Sequence, residues 1–173
     1  TLVLLTHGDS DHAGNAAYLQ REYGAKVAIH RDDAGMVEHG DMGWNRKKKP
    51  DAMSFIMKLM AFVMQVILKA AAFETFTPDL LVDESFDMSR YGLEASILHL
   101  PGHSKGSIGI LTPAGALYCG DLLYNMPGFC CIDTLGDFES SVRKLKDRGI
   151  TTIYPGHGKA FREGRFPRSL TLG

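Results

Sequence analysis

The sequence predicts one α/β domain, and two features of its patterning support this. Short apolar runs that favour strands alternate with segments of helical periodicity, and several of the runs end in polar turns. The length of 173 residues and the 45% hydrophobic composition suit a single domain that buries its own core. We therefore expect one domain over residues 1–173.

The first part of the chain predicts a strand, a helix and a second strand. Thr1 to Thr6 contains the apolar run Leu-Val-Leu-Leu, which favours a buried strand. Asn15 to Tyr23 has helical periodicity, and Gly24 is a typical stop for that helix. Lys26 to His30 predicts the second strand, so the polar turn after Thr6 lies where a strand is followed by a helix.

The middle of the chain predicts an irregular segment and an apolar helical insertion. Residues 31–50 are interpreted as irregular, and the basic run 46–50 as a solvated loop rather than an anion-binding site. From Met53 to Phe73 a long helix is predicted, with its few polar residues on one narrow stripe. Two lysines on that stripe favour a helix packed against the domain or a partner over a membrane span. We place the insertion at residues 51–76.

The second half predicts short strands and one more helix. Strands are expected at 80–82, 86–88, 95–100 and 150–154, a hairpin at 108–111 and 116–119, and an amphipathic helix at 138–148. Two turns after these strands share a pattern, Pro-Gly-His-x-Lys, at 101–105 and 155–159. This repeat indicates two equivalent loops that each direct one histidine towards a shared site.

Potential metal ligands are concentrated in the polar turns that follow predicted strands. Four lie in the first turn: His7, Asp9, Asp11 and His12. Three more follow later strands: His103, Asp121 and His157. Histidine and carboxylate groups bind divalent transition metals, and seven donors suffice for two ions if the strand ends converge. The alternative is a set of unrelated loop residues, which this concentration of ligand types disfavours.

Four motifs resemble, in order, those of the metallo-β-lactamase-fold superfamily. The segment Thr6-His7-Gly8-Asp9-Ser10-Asp11-His12 is similar to its H-x-H-x-D-H motif, and Pro101-Gly102-His103-Ser104 to its P-G-H-T loop. Gly120-Asp121 matches its G-D step, and Tyr154-Pro155-Gly156-His157-Gly158 its final P-G-H-G loop. Because the matches run from residue 6 to residue 158, the resemblance covers nearly the whole chain.

The resemblance implies an αββα sandwich with two divalent metal ions at one edge. His7, Asp9 and His103 would hold the first ion, Asp11, His12 and His157 the second, and Asp121 would bridge them. A hydroxide between the ions would be the nucleophile, and Asp11 would also handle a proton. Tyr124 is a candidate oxyanion donor, although a tyrosine satisfied by buried partners is the simpler interpretation.

Two departures from the family pattern are visible in the sequence. Position 9 is aspartate where the family usually has histidine, which shifts the expected metal from zinc towards manganese or iron. An acidic residue there also resembles the flavodiiron branch of the superfamily. The chain begins within the strand that precedes the first motif, so we expect a sandwich that lacks its N-terminal strands, either as a fragment or completed by another copy.

The function expected from the resemblance is metal-dependent hydrolysis of a small ester, thioester or lactone. The alternatives are a di-iron redox protein of flavodiiron type and a non-catalytic metal-binding or interaction module. Self-association through the apolar helix is expected. The formal net charge of -1 lacks the basic excess typical of nucleic-acid binding, so a small-molecule substrate is favoured. Three cysteines and no recognisable signal peptide favour the cytoplasm.

Overall fold

The computed structural model describes residues 1–63 and 73–162, whose strands form three sheets. The first is parallel, in the order β1-β2-β4: β1 (Leu2–Leu4), β2 (Lys26–His30) and β4 (Leu80–Val82). The second is mixed, in the order β10-β9-β7-β6-β5: β5 (Ser96–His99), β6 (Ile108–Leu111), β7 (Ala116–Gly120), β9 (Thr152–Pro155) and β10 (Phe161–Arg162). The strands β3 (Ala52–Met53) and β8 (Cys131–Ile132) form an antiparallel pair.

The helices lie between these strands along the chain. They are α1 (Ser10–Ala13), α2 (Ala16–Tyr23), α3 (Arg31–His39), α4 (Phe55–Phe62) and α5 (Leu135–Lys144), with a 3₁₀ helix at Met88–Tyr91. Left-handed glycines end two of the α-helices: Gly24 (φ 60°) ends α2 and Gly40 (φ 65°) ends α3. Both positions therefore suit glycine better than a residue with a side chain.

The two larger sheets pack face to face, and helices cover their outer faces. In β2, Val27 and Ile29 pack with residues of α2 and α3, whereas Ala28 faces the second sheet. In β5, Ile97 faces the first sheet, and Leu98 packs in the cluster that includes Phe138 of α5. Because side chains alternate between the faces of a strand, each strand contributes to two cores. The resulting layers are helix, sheet, sheet and helix, as the resemblance implies.

Three expectations for secondary structure are wrong. Residues 31–39 form α3 rather than an irregular segment: the His30 ring accepts a hydrogen bond from the backbone N–H of Asp32 at its start, and Met36 and Val37 are fully buried. Residues 86–88 form no strand, because the Asp87 side chain accepts from the N–H of Ser89 and begins the 3₁₀ helix. The strand β1 is half-buried rather than buried, since it lies at the edge of its sheet.

The predicted long apolar helix is described only in part. Its first turns form α4, while residues 64–72 of the prediction lie outside the described residues. Large apolar side chains of α4 are exposed, including Phe55 (78%), Leu59 (52%) and Phe62 (58%). In the part of the chain that the structure describes, none of the helices combines the length and the apolar character required to traverse a bilayer.

Candidate metal centre

The predicted ligands converge at one edge of the second sheet. His103 lies in the loop after β5, Asp121 follows β7 directly, and His157 lies in the loop after β9. The carboxyl ends of these three strands point the same way, because β5 and β7 each pair antiparallel with β6, and β7 pairs parallel with β9. A hydrogen bond of 2.8 Å from the backbone N–H of Ile108 to the carbonyl oxygen of Thr6 brings the turn after β1 to the same edge.

The first motif lies between the end of β1 and a short helix. The sequence suggests a turn there, but Ser10–Ala13 form α1, with Asp9 at its N-cap position. The carbonyl oxygen of Asp9 accepts from the N–H groups of His12 (3.0 Å) and Ala13 (2.8 Å). Asp9 contacts His103 and Asp11 contacts His157, so the motif divides between two groups of side chains. The two groups adjoin at His7 and His12, whose ring centroids are 4.1 Å apart.

The first group lies at the exposed side of the site. The Nε2 atom of His157 is 3.0 Å from Asp11 Oδ2 and 3.5 Å from Asp121 Oδ2. The Nε2 atom of His12 is 3.3 Å from Asp121 Oδ1. The side chain of Asp11 is 56% exposed and that of Asp121 6% exposed, so this group runs from solvent to the interior. We refer to Asp11, His12, Asp121 and His157 as the outer group.

The second group is buried beneath it. The Nε2 atom of His103 is 2.9 Å from Asp9 Oδ2, and the Nε2 atom of His7 is 3.6 Å from the same oxygen. The other ring nitrogens have partners: His7 Nδ1 is 3.1 Å from Thr6 Oγ1, and His103 Nδ1 is 3.0 Å from the carbonyl oxygen of Cys131. We refer to His7, Asp9 and His103 as the inner group.

Burial and neighbouring charges give the three residues of the inner group different protonation states. Burial, together with the neighbouring His103, lowers the pKa of His7 to about 3, so this imidazole is neutral. Burial by itself lowers the pKa of His103, but the hydrogen bonds to Asp9 and to the Cys131 carbonyl raise it to about 10. Burial by itself raises the pKa of Asp9, but His103 and Arg46 hold it well below its usual value. His103 and Asp9 therefore form an ion pair.

Neighbouring charges also shift the pKa values of Asp121 and His12 in the outer group. Burial by itself raises the pKa of Asp121, but His12 and the inner histidines lower it to about 2. Burial by itself lowers the pKa of His12, but the contact with Asp121 raises it above its usual value. The outer group thus presents an ionised, mostly buried carboxylate to its histidines.

Arg46 contacts Asp9, which corrects the prediction that this basic segment is a solvated loop. Its Nη1 atom is 2.8 Å from Asp9 Oδ1, and its Nη2 atom donates to Asp9 Oδ2 over 3.1 Å. The Arg46 side chain is 16% exposed. Arg46 lies 37 residues after Asp9, and α3 together with the turn that follows it returns the chain to the first motif. No local spacing in the sequence signals this contact.

Residues 1–157 match the Metallo-beta-lactamase superfamily. The chain belongs to this superfamily. It is 27% identical to hydroxyacylglutathione hydrolase GloC of Haemophilus influenzae, over 97% of this chain and 73% of that protein. It is 26% identical to acyl-coenzyme A thioesterase MBLAC2 of Bos taurus, over 96% of this chain and 59% of that protein. The chain spans between 26% and 73% of the length of the first three curated relatives.

Solved structures of the superfamily share the fold. The crystal structure of TTHA1623 in a di-iron-bound form superposes with a TM-score of 0.65 at 25% identity, covering 94% of this chain and 72% of that one. The α/β metallo-β-lactamase fold predicted from the motifs is therefore confirmed over most of the chain. The fold alone does not assign a reaction, since one fold hosts many chemistries.

The outer group of this superfamily member fits a metal ion. Across residues 1–63 and 73–162, two of its atoms, His12 Nε2 and Asp121 Oδ1, are buried without a hydrogen-bond partner, an arrangement that proteins otherwise avoid. The same holds in the inner group for His7 Nε2 and Asp9 Oδ1. A Cβ atom on Gly156 would lie 2.2 Å from Asp121 Oδ1 and 2.6 Å from His12 Cε1, so glycine lets the loop after β9 lie directly against both residues. Unpaired nitrogen and oxygen donors held close together are what a transition-metal ion requires.

Tyr124 lies between the two groups. Its hydroxyl donates to Asp121 Oδ2 over 3.2 Å and is 3.3 Å from His103 Nδ1. Burial and the nearby Asp121 carboxylate raise its pKa, so the hydroxyl keeps its proton. These contacts agree with the interpretation of Tyr124 as a tyrosine satisfied by buried partners, and its role as an oxyanion donor stays a prediction.

Asp33 is a supporting residue that the sequence interpretation missed. It is 1% exposed and accepts hydrogen bonds from Ser104 Oγ (2.6 Å) and from the N–H of Gly106 (2.7 Å). It therefore ties α3 to the loop that presents His103. Burial raises the pKa of Asp33 above its usual value. Nothing in the local pattern of residues 31–39 distinguishes this aspartate from its exposed neighbours.

A third histidine and carboxylate group lies apart from the centre. His30, Asp32 and His99 have ligand atoms within 4.8 Å of one another. The rings of His30 and His99 are stacked, with centroids 4.2 Å apart and planes at 8°. An imidazole binds a metal in its own ring plane, so two parallel stacked rings cannot direct their nitrogens to one ion. This group is therefore not a second candidate centre.

Proposed function

We propose that this chain is a metal-dependent hydrolase that cleaves a thioester or ester bond in a small substrate. The observation that supports this best is the outer group, in which unpaired buried donor atoms lie next to a carboxylate open to solvent. A substrate can reach that side of the site. The inner group, by contrast, is enclosed by Arg46, Tyr124 and the strand ends.

His12, Asp121, His157 and Asp11 are the residues that would hold a divalent metal ion, which we expect to be zinc, with manganese or iron as alternatives. Such an ion lowers the pKa of water and polarises a carbonyl oxygen. Asp11 is placed to accept the proton of an attacking water, because its carboxylate is exposed and 3.0 Å from His157. Tyr124 holds Asp121 in its orientation through the 3.2 Å hydrogen bond.

The substrate class is proposed from the relatives. Two of them are named as hydrolases of hydroxyacylglutathione and of acyl-coenzyme A, and both of these are thioesters. Because identity to these relatives is 26–27% and the chain spans only part of their length, we propose the bond type and not the acyl group. Thioesters come first, then simple esters and lactones.

Di-iron redox chemistry is the second candidate, and two observations favour it. Position 9 is a carboxylate, and a relative with the same fold was solved in a di-iron-bound form. The distinguishing measurement is the metal that the purified protein retains, together with its redox behaviour. Zinc or manganese with hydrolytic activity supports the first candidate, whereas iron with reversible reduction supports the second.

We also propose that the chain self-associates through α4 and resides in the cytoplasm. The large apolar side chains of α4 are exposed in a run that water solvates poorly. Cys119, Cys130 and Cys131 are free thiols, which is compatible with a reducing compartment. Localisation of a tagged full-length protein tests the second proposal.

Hydrolysis assays test the main proposal. We expect activity on hydroxyacylglutathione, acyl-coenzyme A or a 4-nitrophenyl ester, abolished by a chelator and restored by zinc or manganese. The variant His12→Ala should lose this activity, while His39→Ala, an exposed histidine packed against Trp44, should keep it. A folded protein that hydrolyses none of these substrates with any metal would favour a non-catalytic binding module.

A further inference from the structure

The position where this chain departs from its family is occupied by an ion pair. Asp9 would be a ligand of the first metal ion, yet both of its carboxylate oxygens contact the Arg46 guanidinium, and Oδ2 also contacts His103. We propose that the centre binds one metal ion per chain, in the outer group, and that Arg46 supplies the positive charge that a second ion would bring to the inner group. This inference rests on the proposed function.

The contact between Arg46 and Asp9 involves both oxygens of the carboxylate. Nη2 donates a hydrogen bond to Oδ2 over 3.1 Å, and Nη1 lies 2.8 Å from Oδ1, an ion-pair distance without hydrogen-bond geometry. A hydrogen bond between a guanidinium and a carboxylate is charge-assisted and stronger than one between neutral groups. A metal ion at Asp9 would have to displace or share these contacts.

Charge repulsion opposes a second ion there. The side chains of Arg46 and Asp9 are 16% and 13% exposed, so solvent screens their charges weakly. A divalent cation bound to His7, Asp9 and His103 would lie beside a guanidinium that is already paired with the Asp9 carboxylate. Like charges at such short distances in a partly buried site are strongly unfavourable.

The outer group has no such competitor within the described ranges. There, the ion-pair partners of Asp11 and Asp121 are histidines, which bind metal ions when neutral. No lysine or arginine of residues 1–63 or 73–162 forms a salt bridge with either carboxylate. The two groups therefore differ in the feature that decides occupancy: the outer carboxylates lack a permanent cation and the inner one has Arg46.

Arg46 is held in place by the turn that carries it. Its Nη1 atom donates to the carbonyl oxygen of Met42 over 3.2 Å, and the backbone N–H of Lys47 donates to Asp133 Oδ1 over 3.0 Å. The side chain of Asn45 donates to the carbonyl oxygen of Asp32 at the start of α3. A Cβ atom on Gly35 would lie 2.2 Å from the Trp44 ring, so this turn also packs closely on α3. The guanidinium is thus positioned by the fold.

Metal stoichiometry tests the inference directly. The protein is saturated with zinc, free metal is removed by gel filtration, and zinc per chain is measured by elemental analysis. We expect one ion per chain in the unaltered protein, two in Arg46→Met, and one in the control Arg31→Met, which removes an exposed arginine paired with Asp83. Two ions in the unaltered protein would overturn this inference and leave the proposed function standing. No retained ion would overturn the proposed function itself.

A charge-neutral double variant provides an independent readout. Asp9→Ala combined with Arg46→Met removes both partners of the ion pair, so neither charge is left buried alone. We expect this variant to bind one zinc ion with a dissociation constant, measured calorimetrically, within about threefold of the unaltered value. A loss of affinity of tenfold or more would show that Asp9 is a ligand and would overturn the inference. If Arg46→Met does not fold, the unaltered protein and the double variant decide the question.

Discussion

A glycine without a side chain is as important to the candidate centre as the residues that would bind the metal ion. Gly156 lies next to His157 in the loop after β9, and its backbone N–H donates to the carbonyl oxygen of Gly120 over 2.8 Å. This contact brings the loop against Asp121. Any side chain at position 156 would enter the space between Asp121 and His12.

Replacing Gly156 by alanine should therefore weaken metal binding. The added methyl group would lie 2.2 Å from Asp121 Oδ1, so the carboxylate or the loop must move away from the position that binds the ion. We expect the zinc dissociation constant, measured by competition with a chromophoric chelator, to rise at least about tenfold, equivalent to roughly 1.4 kcal/mol.

The matched control is Gly136→Ala in α5, where an added Cβ atom meets nothing within 4 Å. It should leave zinc affinity unchanged and stabilise the fold by up to about 1 kcal/mol, because alanine favours the helix. Equal zinc affinities for Gly156→Ala and the unaltered protein would show that the ion lies elsewhere.

Among single residues, the sequence predicts those in local motifs and not those that distant elements contribute. The predicted ligands each lie in a short pattern next to a predicted strand, and the structure brings them together: His7, Asp9, Asp11, His12, His103, Asp121 and His157. Their role as metal ligands stays a prediction. Arg46 and Asp33 were missed because their contacts depend on how α3 and the turn after it return over the first motif. The spacing of these residues in the sequence does not indicate that α3 and the following turn lie against the first motif.

Among the helices and strands, those with a clear local pattern are predicted from the sequence, and those that depend on tertiary packing are not. The strands β2 and β4 and the hairpin of β6 and β7 were predicted because apolar residues identify them directly. The sequence does not predict α3, because Gly35 lies in its middle and glycine lowers helical propensity. Packing of Met36 and Val37 in the core overrides that propensity.

A carboxylate links the parallel strands β2 and β4. Asp79 precedes β4, and its side chain accepts from Lys26 Nζ (2.8 Å), from the backbone N–H of Val27 (2.9 Å) and from Gln20 Nε2 (2.8 Å). These hydrogen bonds lower the pKa of Asp79 to about 2. The ionised side chain therefore connects α2, β2 and the start of β4.

Substituting Asp79 by alanine should destabilise the fold in a pH-dependent way. A carboxyl group whose pKa is lower in the folded state stabilises it above the unfolded pKa of about 4 and loses this effect as the pH falls through about 2. At pH 7 we expect a loss of about 1 kcal/mol in urea denaturation, since solvent screens the exposed lysine contact.

The difference between Asp79→Ala and the unaltered chain should shrink as the pH is lowered from 4 to about 2. The control Glu38→Ala, at an exposed position of α3, should show little change at either pH. A deficit that is constant with pH would indicate that lost packing, and not the carboxylate, is responsible.

For the whole molecule, the exposed face of α4 is the feature that the isolated chain leaves unexplained. Phe55 and Phe62 are 78% and 58% exposed, and exposed apolar patches often mark sites of association. We expect sedimentation velocity to show self-association, and the double variant Phe55→Glu with Phe62→Glu to shift the protein to monomer.

The control for that experiment is Tyr23→Glu, which alters an aromatic residue that is 69% exposed on α2. It should leave the association state unchanged. An unaltered protein that remains monomeric at all accessible concentrations would contradict the proposal that α4 is a contact between copies.

The position of a bound metal ion decides whether the outer group is the metal centre, and anomalous scattering from a zinc-loaded crystal measures that position. We expect one peak per chain, within about 2–2.5 Å of His12 Nε2, His157 Nε2 and a carboxylate oxygen of Asp121 or Asp11. No such peak is expected beside Asp9 and His103, because Arg46 pairs with the Asp9 carboxylate. Zinc-loaded crystals with no peak at the outer group, or with zinc only at His30, Asp32 and His99, would contradict the account.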